Sequence, residues 1–144
     1  MAAWVAERVG IEAIAPIHAL AVVSPTRMVG AVIYHGMGLG NVHMSIASET
    51  PVACSPGVVT FALGYPYQTW GCHRLTALCR PGNKPIKRLL GGLGFTMEGR
   101  LHAMAPDGKD MLIYGMTRKW WAQSRWGHRW RAAERQARAM LEAA

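Results

Sequence analysis

Residues 83–116 read NKPIKRLLGGLGFTMEGRLHAMAPDGKDMLIYGM, and their order decides the fold. Asn83 stands just before a run in which Ile86, Leu89, Leu90 and Leu93 recur at helical spacing. An Asn side chain at that place satisfies orphan backbone donors of the first turn. Pro85 is tolerated in a first turn, and Gly94 ends the helix. Phe95 to Ala105 and Asp110 to Arg118 then read as two strands. They are joined through Pro106-Asp107-Gly108-Lys109, whose Asp-Gly pair is a strong turn signal.

Upstream, Arg74 to Cys79 alternates as a strand and Pro81-Gly82 makes a turn. Before it, Val58, Phe61, Ala62 and Tyr65 recur at helical spacing. Ser55 is the expected N-cap, with Pro56 at the first helical position. Pro66 is expected to kink or crowd this helix near its end, and Gly71 to stop it. Asn41 to Ser48 sends Val42, Met44 and Ile46 to one side and His43, Ser45 and Ala47 to the other. Strand, helix, strand implies a parallel pair with a right-handed crossover. His18 to Val23 and Met28 to Tyr34 form a hairpin around Pro25-Thr26, and Gly36, Gly38 and Gly40 mark a loop. Ala2 to Val9 reads as a short helix.

The chain has 144 residues, of which 51% are hydrophobic. That is one domain with a real core, since ~150 residues bury roughly two thirds of their unfolded surface. The apolar runs stop well short of the ~18 residues a membrane span needs. Met1 to Arg8 carries Glu7 and no basic region, so a signal peptide is not expected. Cys54, Cys72 and Cys79 lack zinc-site spacing, which points to no metal and to a reduced, cytoplasmic setting. The net charge is +8, of which +5 falls from Arg118 onward. The basicity belongs mainly to a tail.

Asn83-x10-Gly94-Phe95, Met97-Glu98-Gly99-Arg100, Asp107-Gly108-Lys109-Asp110 and Tyr114-Gly115-Met116 resemble, in this order, the C-terminal half of a GCN5-related N-acetyltransferase (GNAT). The branch resembled is the short bacterial and phage type, related to enzymes that acetylate ribosomal-protein N-termini. Trp4 to Arg8, Gly30 to His35, Asn41 to Ser48 and Tyr65 to Gln68 extend the resemblance over about residues 1–121. It implies an α/β (α+β) fold. The sheet would be mixed, mostly antiparallel, with a central splayed parallel pair and flanking helices. A C-terminal amphipathic helix is added over 122–144. The family pattern also has a strand and helix ahead of the part that Trp4 resembles.

The resemblance implies acetyl-CoA as cofactor. In the family, the strand that here ends at Ile46-Ala47-Ser48 pairs with the pantetheine arm, as a ligand completing a sheet edge. The diphosphate meets the start of the crossover helix, here Ser55, Gly57 and Val58. That loop departs from the family's Gln/Arg-x-x-Gly-x-Gly/Ala pattern. Asn83 is expected on the pantetheine as well as in its capping role. Lys84, Lys87 and Arg88 lie toward the adenosine 3′-phosphate or form a solvated face, and Lys87 is the expected contact. Leu90 stands where many relatives carry a Tyr acid. Ser45, Ser48 or water are the remaining proton donors. Glu49 is the expected base, with His43 and His73 as alternatives. Tyr114 falls on the strand that lies beside the acceptor site in relatives. Arg100 and His102 either line an acceptor pocket or face solvent.

Lys119 to Ala144 reads as a helix broken near Gly127, with Trp126, Trp130, Ala133, Ala137 and Met140 along a narrow stripe. Arg131, Arg135, Arg138 and Glu142 fall opposite. The stripe is expected to dock on its own domain or to form a homodimer. Nucleic acid and an anionic membrane surface are weaker alternatives. Two functions follow. One is acetyl transfer from acetyl-CoA to a primary amine of a peptide, protein or small molecule. The other is a GNAT-fold binding protein without catalysis, whose basic tail contacts nucleic acid or a partner.

Overall fold

The computed structural model describes residues 2–9 and 18–143. The elements run α1 (Ala2–Val9), β1 (His18–Val23), β2 (Met28–Gly38), β3 (Asn41–Ser48), a 3-10 turn at Pro51–Cys54, and α2 (Pro56–Thr69). Then come β4 (Arg74–Cys79), α3 (Lys84–Leu93), β5 (Thr96–Leu101), β6 (Met111–Thr117), α4 (Arg118–Gln123) and α5 (Arg125–Glu142). The six strands form one sheet in the order β1-β2-β3-β4-β6-β5. Only β3 and β4 pair in parallel; α2 is their crossover, as the strand-helix-strand reading requires.

One face of the sheet carries the main core. Tyr34, Val42, Leu75 and Met116 meet Leu63 and Tyr67 of α2, Leu90 and Leu93 of α3, and Trp121 of α4. On the other face Val5 of α1 packs on Ala31, Ile33 and Ala47. Two buried phenols tie α2 to the sheet: Tyr34 donates to the Ala62 carbonyl at 2.6 Å and Tyr67 to the Met116 carbonyl at 2.6 Å.

The first bond accounts for Pro66. Helix α2 runs through Pro66 and ends at Thr69, just before Gly71, as expected. Proline removes the N–H that would have bonded the carbonyl four residues back, which is Ala62. Tyr34 supplies the missing donor, so the helix passes through a buried proline without an orphan acceptor.

Three expectations shift. Strand β2 runs past Tyr34 to Gly38, because the tight turn is made by Leu39 and Gly40, both with positive φ. That is the geometry of a two-residue hairpin turn, and it places His35 inside the strand opposite His43. Strand β5 ends at Leu101 rather than Ala105. Asp110 folds the following loop, accepting from the Ala103 amide at 3.1 Å and from Arg100 Nε at 2.7 Å.

The C-terminal helix breaks at Ser124, not Gly127. The Ser124 hydroxyl accepts from the Trp126 and Gly127 amides and so caps α5. Gly127 is where α5 presses on the Trp121 carbonyl and Ala122, leaving no room for a Cβ. Trp126 is buried and donates through Nε1 to the Leu93 carbonyl at 3.0 Å, while Trp130 lies flat against Gly64 and stacks on Phe61. The first turns of α5 are thus part of the domain, and the 121/122 boundary falls inside α4. From Ala132 to Ala143 every residue is exposed.

Candidate functional site

The parallel pair β3–β4 is joined only at its start: Asn41 with Arg74, Val42 with Leu75, His43 with Thr76. A side-chain knot fastens this base. The Thr76 hydroxyl donates to Asn41 Oδ1 at 2.7 Å and accepts from Arg74 Nε at 2.9 Å. Beyond His43 the strands part. Met44 to Ser48 remains paired with β2 on one edge, and Ala77 to Cys79 with β6 on the other. Between them the backbone edges have no strand partner. A cavity of about 330 Å³ opens there, lined by Met44 to Ser48, Ala77 to Arg80, Met111, Arg8, and Asn83, Ile86, Leu89 and Leu90.

Of the expected site residues, the structure brings Ile46, Ala47, Ser48 and Asn83 together around this cavity. Asn83 caps α3 by accepting from the Ile86 amide at 3.2 Å, which leaves its NH2 group pointed at no described partner. Ser55 begins α2, but its hydroxyl makes no capping bond. Gly57 is exposed, with open space where a Cβ would stand. Val58 lines a small apolar pocket that shares Met44, Ile46 and Leu89 with the cavity. Lys87 turns back to donate to the Pro81 carbonyl at 3.1 Å.

Other expected residues are engaged elsewhere. Both oxygens of Glu49 are held by guanidinium groups, Oε1 by Arg8 at 2.7 Å and Oε2 by Arg27 at 3.1 Å, outside the cavity lining. Both oxygens are thus committed to ion pairs, and the side chain does not reach the cavity. Tyr114 lies in the core between Ala77 and Met97, where burial and the neighbouring Cys79 push its phenol up. Arg100 and His102 bind Asp110. His73 packs over Gly40 and donates its amide to the Gly40 carbonyl at 2.7 Å. Leu90 is buried and offers the cavity only methyl groups.

His43 and Ser45, named above as an alternative base and a proton donor, belong to a polar line on the face away from the main core whose other members sequence reasoning missed. His35 of β2, His43 and Ser45 of β3, Thr76 and Arg74 of β4 and Glu98 of β5 lie along it. Arg74 grips Glu98 with both terminal nitrogens, Nη1 to Oε1 at 2.9 Å. The ion pair crosses directly over Gly115, where any Cβ would strike it. Bonding to Arg74 holds the Glu98 carboxyl below its ordinary range. Burial and mutual proximity lower His35; burial and Arg74 lower His43. Both imidazoles are therefore neutral near pH 7.

No model of a known protein family matches the chain, and no curated protein does. Solved structures do. RimJ of Mycobacterium smegmatis, in complex with CoA-disulfide, has a TM-score of 0.64 at 25% identity, over 83% of this chain and 61% of that one. The ribosomal-protein-S5-alanine acetyltransferase of Vibrio fischeri has a TM-score of 0.61 at 18% identity, over 70% and 61%. A mutant form of the spermidine/spermine N-acetyltransferase SpeG of Vibrio cholerae has a TM-score of 0.64 at 16% identity, over 75% and 71%. The architecture is that of the GCN5-related N-acetyltransferases. The chain spans about three fifths of the length of the first two. Among the described residues, no helix is long and apolar enough to cross a membrane and no cluster of metal ligands occurs.

Proposed function

We propose that this chain binds acetyl-CoA in the opening between β3 and β4 and transfers the acetyl group to a primary amine. The observation that carries this reading is the parting of a parallel strand pair after His43 and Thr76, which leaves two unpaired backbone edges facing a cavity. Unpaired strand edges of this kind are a ready template for an extended chain. The amide-rich pantetheine arm is an extended chain with alternating donors and acceptors, and it fits the edge at Ile46-Ala47-Ser48. The free NH2 group of Asn83 supplies a donor from the opposite wall.

The diphosphate falls to the start of α2. Pro56 has no N–H, but the amides of Gly57 and Val58 are first-turn donors, and the Ser55 hydroxyl is not spent on a cap. The bound thioester supplies an activated acyl carbon, and the chain's task is to position it and to neutralise the incoming ammonium. That RimJ is seen with a CoA disulfide supports the same ligand here. By their names, the structural neighbours act on an alanine of ribosomal protein S5 and on spermidine or spermine. The acceptor of this chain belongs to the class of primary amines.

Titration calorimetry tests the donor. Acetyl-CoA is expected to bind, and absence of heat at millimolar ligand would overturn the reading. Asn83→Asp keeps an oxygen for the Ile86 amide and loses the NH2 donor. It is expected to melt with the wild type and to bind acetyl-CoA about tenfold more weakly, a lost hydrogen bond of ~1.4 kcal/mol.

A further inference from the structure

Ser45 lines the cavity between the parted strands, two residues beyond the last paired position on β3. Its Oγ lies 3.3 Å from Nε2 of His35 on the neighbouring strand. His35 is 6% exposed, and its Nδ1 is buried with no hydrogen-bond partner among the described residues. An imidazolium needs a partner for each of its two N–H groups, and here only one nitrogen has one. The charged ring is thus disfavoured at rest, so His35 waits neutral with Nε2 turned to the Ser45 hydroxyl and gives an acquired proton back readily. His43 stands beside it with its ring centre 5.6 Å away, and Arg74 of β4, paired to Glu98 of β5, is the charge next to His43; Arg8 of α1, paired to Glu49, lines the cavity.

We infer that Ser45 and His35 form a proton relay for the acceptor amine, resting on the acetyl-transfer reading above. The proton leaves the ammonium for Ser45 Oγ as Ser45's own proton passes to His35 Nε2. The amine nitrogen then bonds the acyl carbon and the carbon–sulfur bond breaks. The same path run backwards returns the proton from His35 to the departing sulfur, and the second amine proton goes to water. The relay accepts and returns one proton, so it supplies both the base and the acid. It thereby replaces the Tyr that Leu90 displaces. A distance of 3.3 Å is long for a strong hydrogen bond, as is usual before substrates close on a site.

The test uses the full chain, acetyl-CoA and two amine probes, a short peptide beginning with alanine and spermidine, with free thiol followed from about pH 5 to about 9. Wild-type kcat is expected to fall along an acid limb lying below the ordinary histidine value of about 6.5. His35→Gln retains a partner for Ser45 and is expected to keep acetyl-CoA affinity, to lose roughly 10²-fold in kcat and to lose the limb. Ser45→Ala should do the same, and the double variant should be no worse than either alone. Should His35→Gln not fold, Ser45→Ala decides. Wild-type kcat and limb in either variant overturn the relay, as does loss of the limb in His43→Gln but not in His35→Gln. A wild-type chain that releases no thiol with either amine overturns the acetyl-transfer reading and the relay with it.

Discussion

The two ends of the β3–β4 pair are built from the same strands and behave in opposite ways. At the base, three residue pairs are in register, and Asn41, Thr76 and Arg74 knot their side chains across them. At the far end the same strands share no bond and diverge around a cavity. The base is stabilised by burial, with Val42 and Leu75 both fully enclosed. The open end is held from outside, by β2 on one flank and β6 on the other. A sheet can therefore keep a gap in its middle provided each lip has its own neighbour. The gap then costs only those hydrogen bonds that a ligand is able to make.

That contrast can be broken at its base. Leu75→Ala removes a buried side chain and should cost about 2–5 kcal/mol in chemical denaturation. Its cost should exceed that of any single truncation at the lips, such as Ile46→Ala. Thr76→Val keeps the shape but strips the hydroxyl from Asn41 and Arg74. The expected loss is about 1–2 kcal/mol, since two part-buried hydrogen bonds are lost while Arg74 keeps Glu98. Acetyl-CoA affinity should drop as well if the knot sets the angle of the opening; an unchanged affinity would show that the flanking strands set it alone.

A smaller effect comes from pH. His35 and His43 titrate below their unfolded value, so the unfolded chain takes up protons first on acidification. Stability from these two groups is full above about pH 6.5 and is lost as pH falls toward their folded values. Melting temperatures measured downward from about pH 7.5 should show that decline, and His35→Gln should flatten it.

Much of this was legible in the chain. Period-two alternation gave β3 and β4 their bounds, an apolar hairpin signal gave β1, and residues 83–116 gave α3 and the two strands that follow it. Of the expected site residues, those that line the opening are Ile46-Ala47-Ser48, which the family resemblance implied, and Asn83, which its capping signal marked; their contact with a cofactor is the proposal above. The site was illegible where partners come from far along the chain. Glu49 looked free because Arg8 and Arg27 lie 41 and 22 positions away. His35 was read into a glycine loop, since three alternate glycines mask a strand end that a positive-φ turn at Leu39-Gly40 later completes. Nothing local announces that Arg74 and Glu98 meet over Gly115.

The docked tryptophans of α5 have one more effect, and it concerns how a helix starts. Residues 131–142 read RAAERQARAMLE, nearly all strong helix formers, with Glu134 four residues before Arg138 in the favourable orientation. Twelve such residues alone are marginal in water, because the first turn fixes several dihedrals for a single hydrogen bond. Here Ser124, Trp126 and Trp130 build that turn against the domain, and the exposed residues only propagate it. The outer half of α5 is thus a coil-to-helix transition whose nucleus lies elsewhere. Loosening Trp130 from Gly64 should be felt a full three turns away, as lost helicity in a segment exposed to solvent from Ala132 onward.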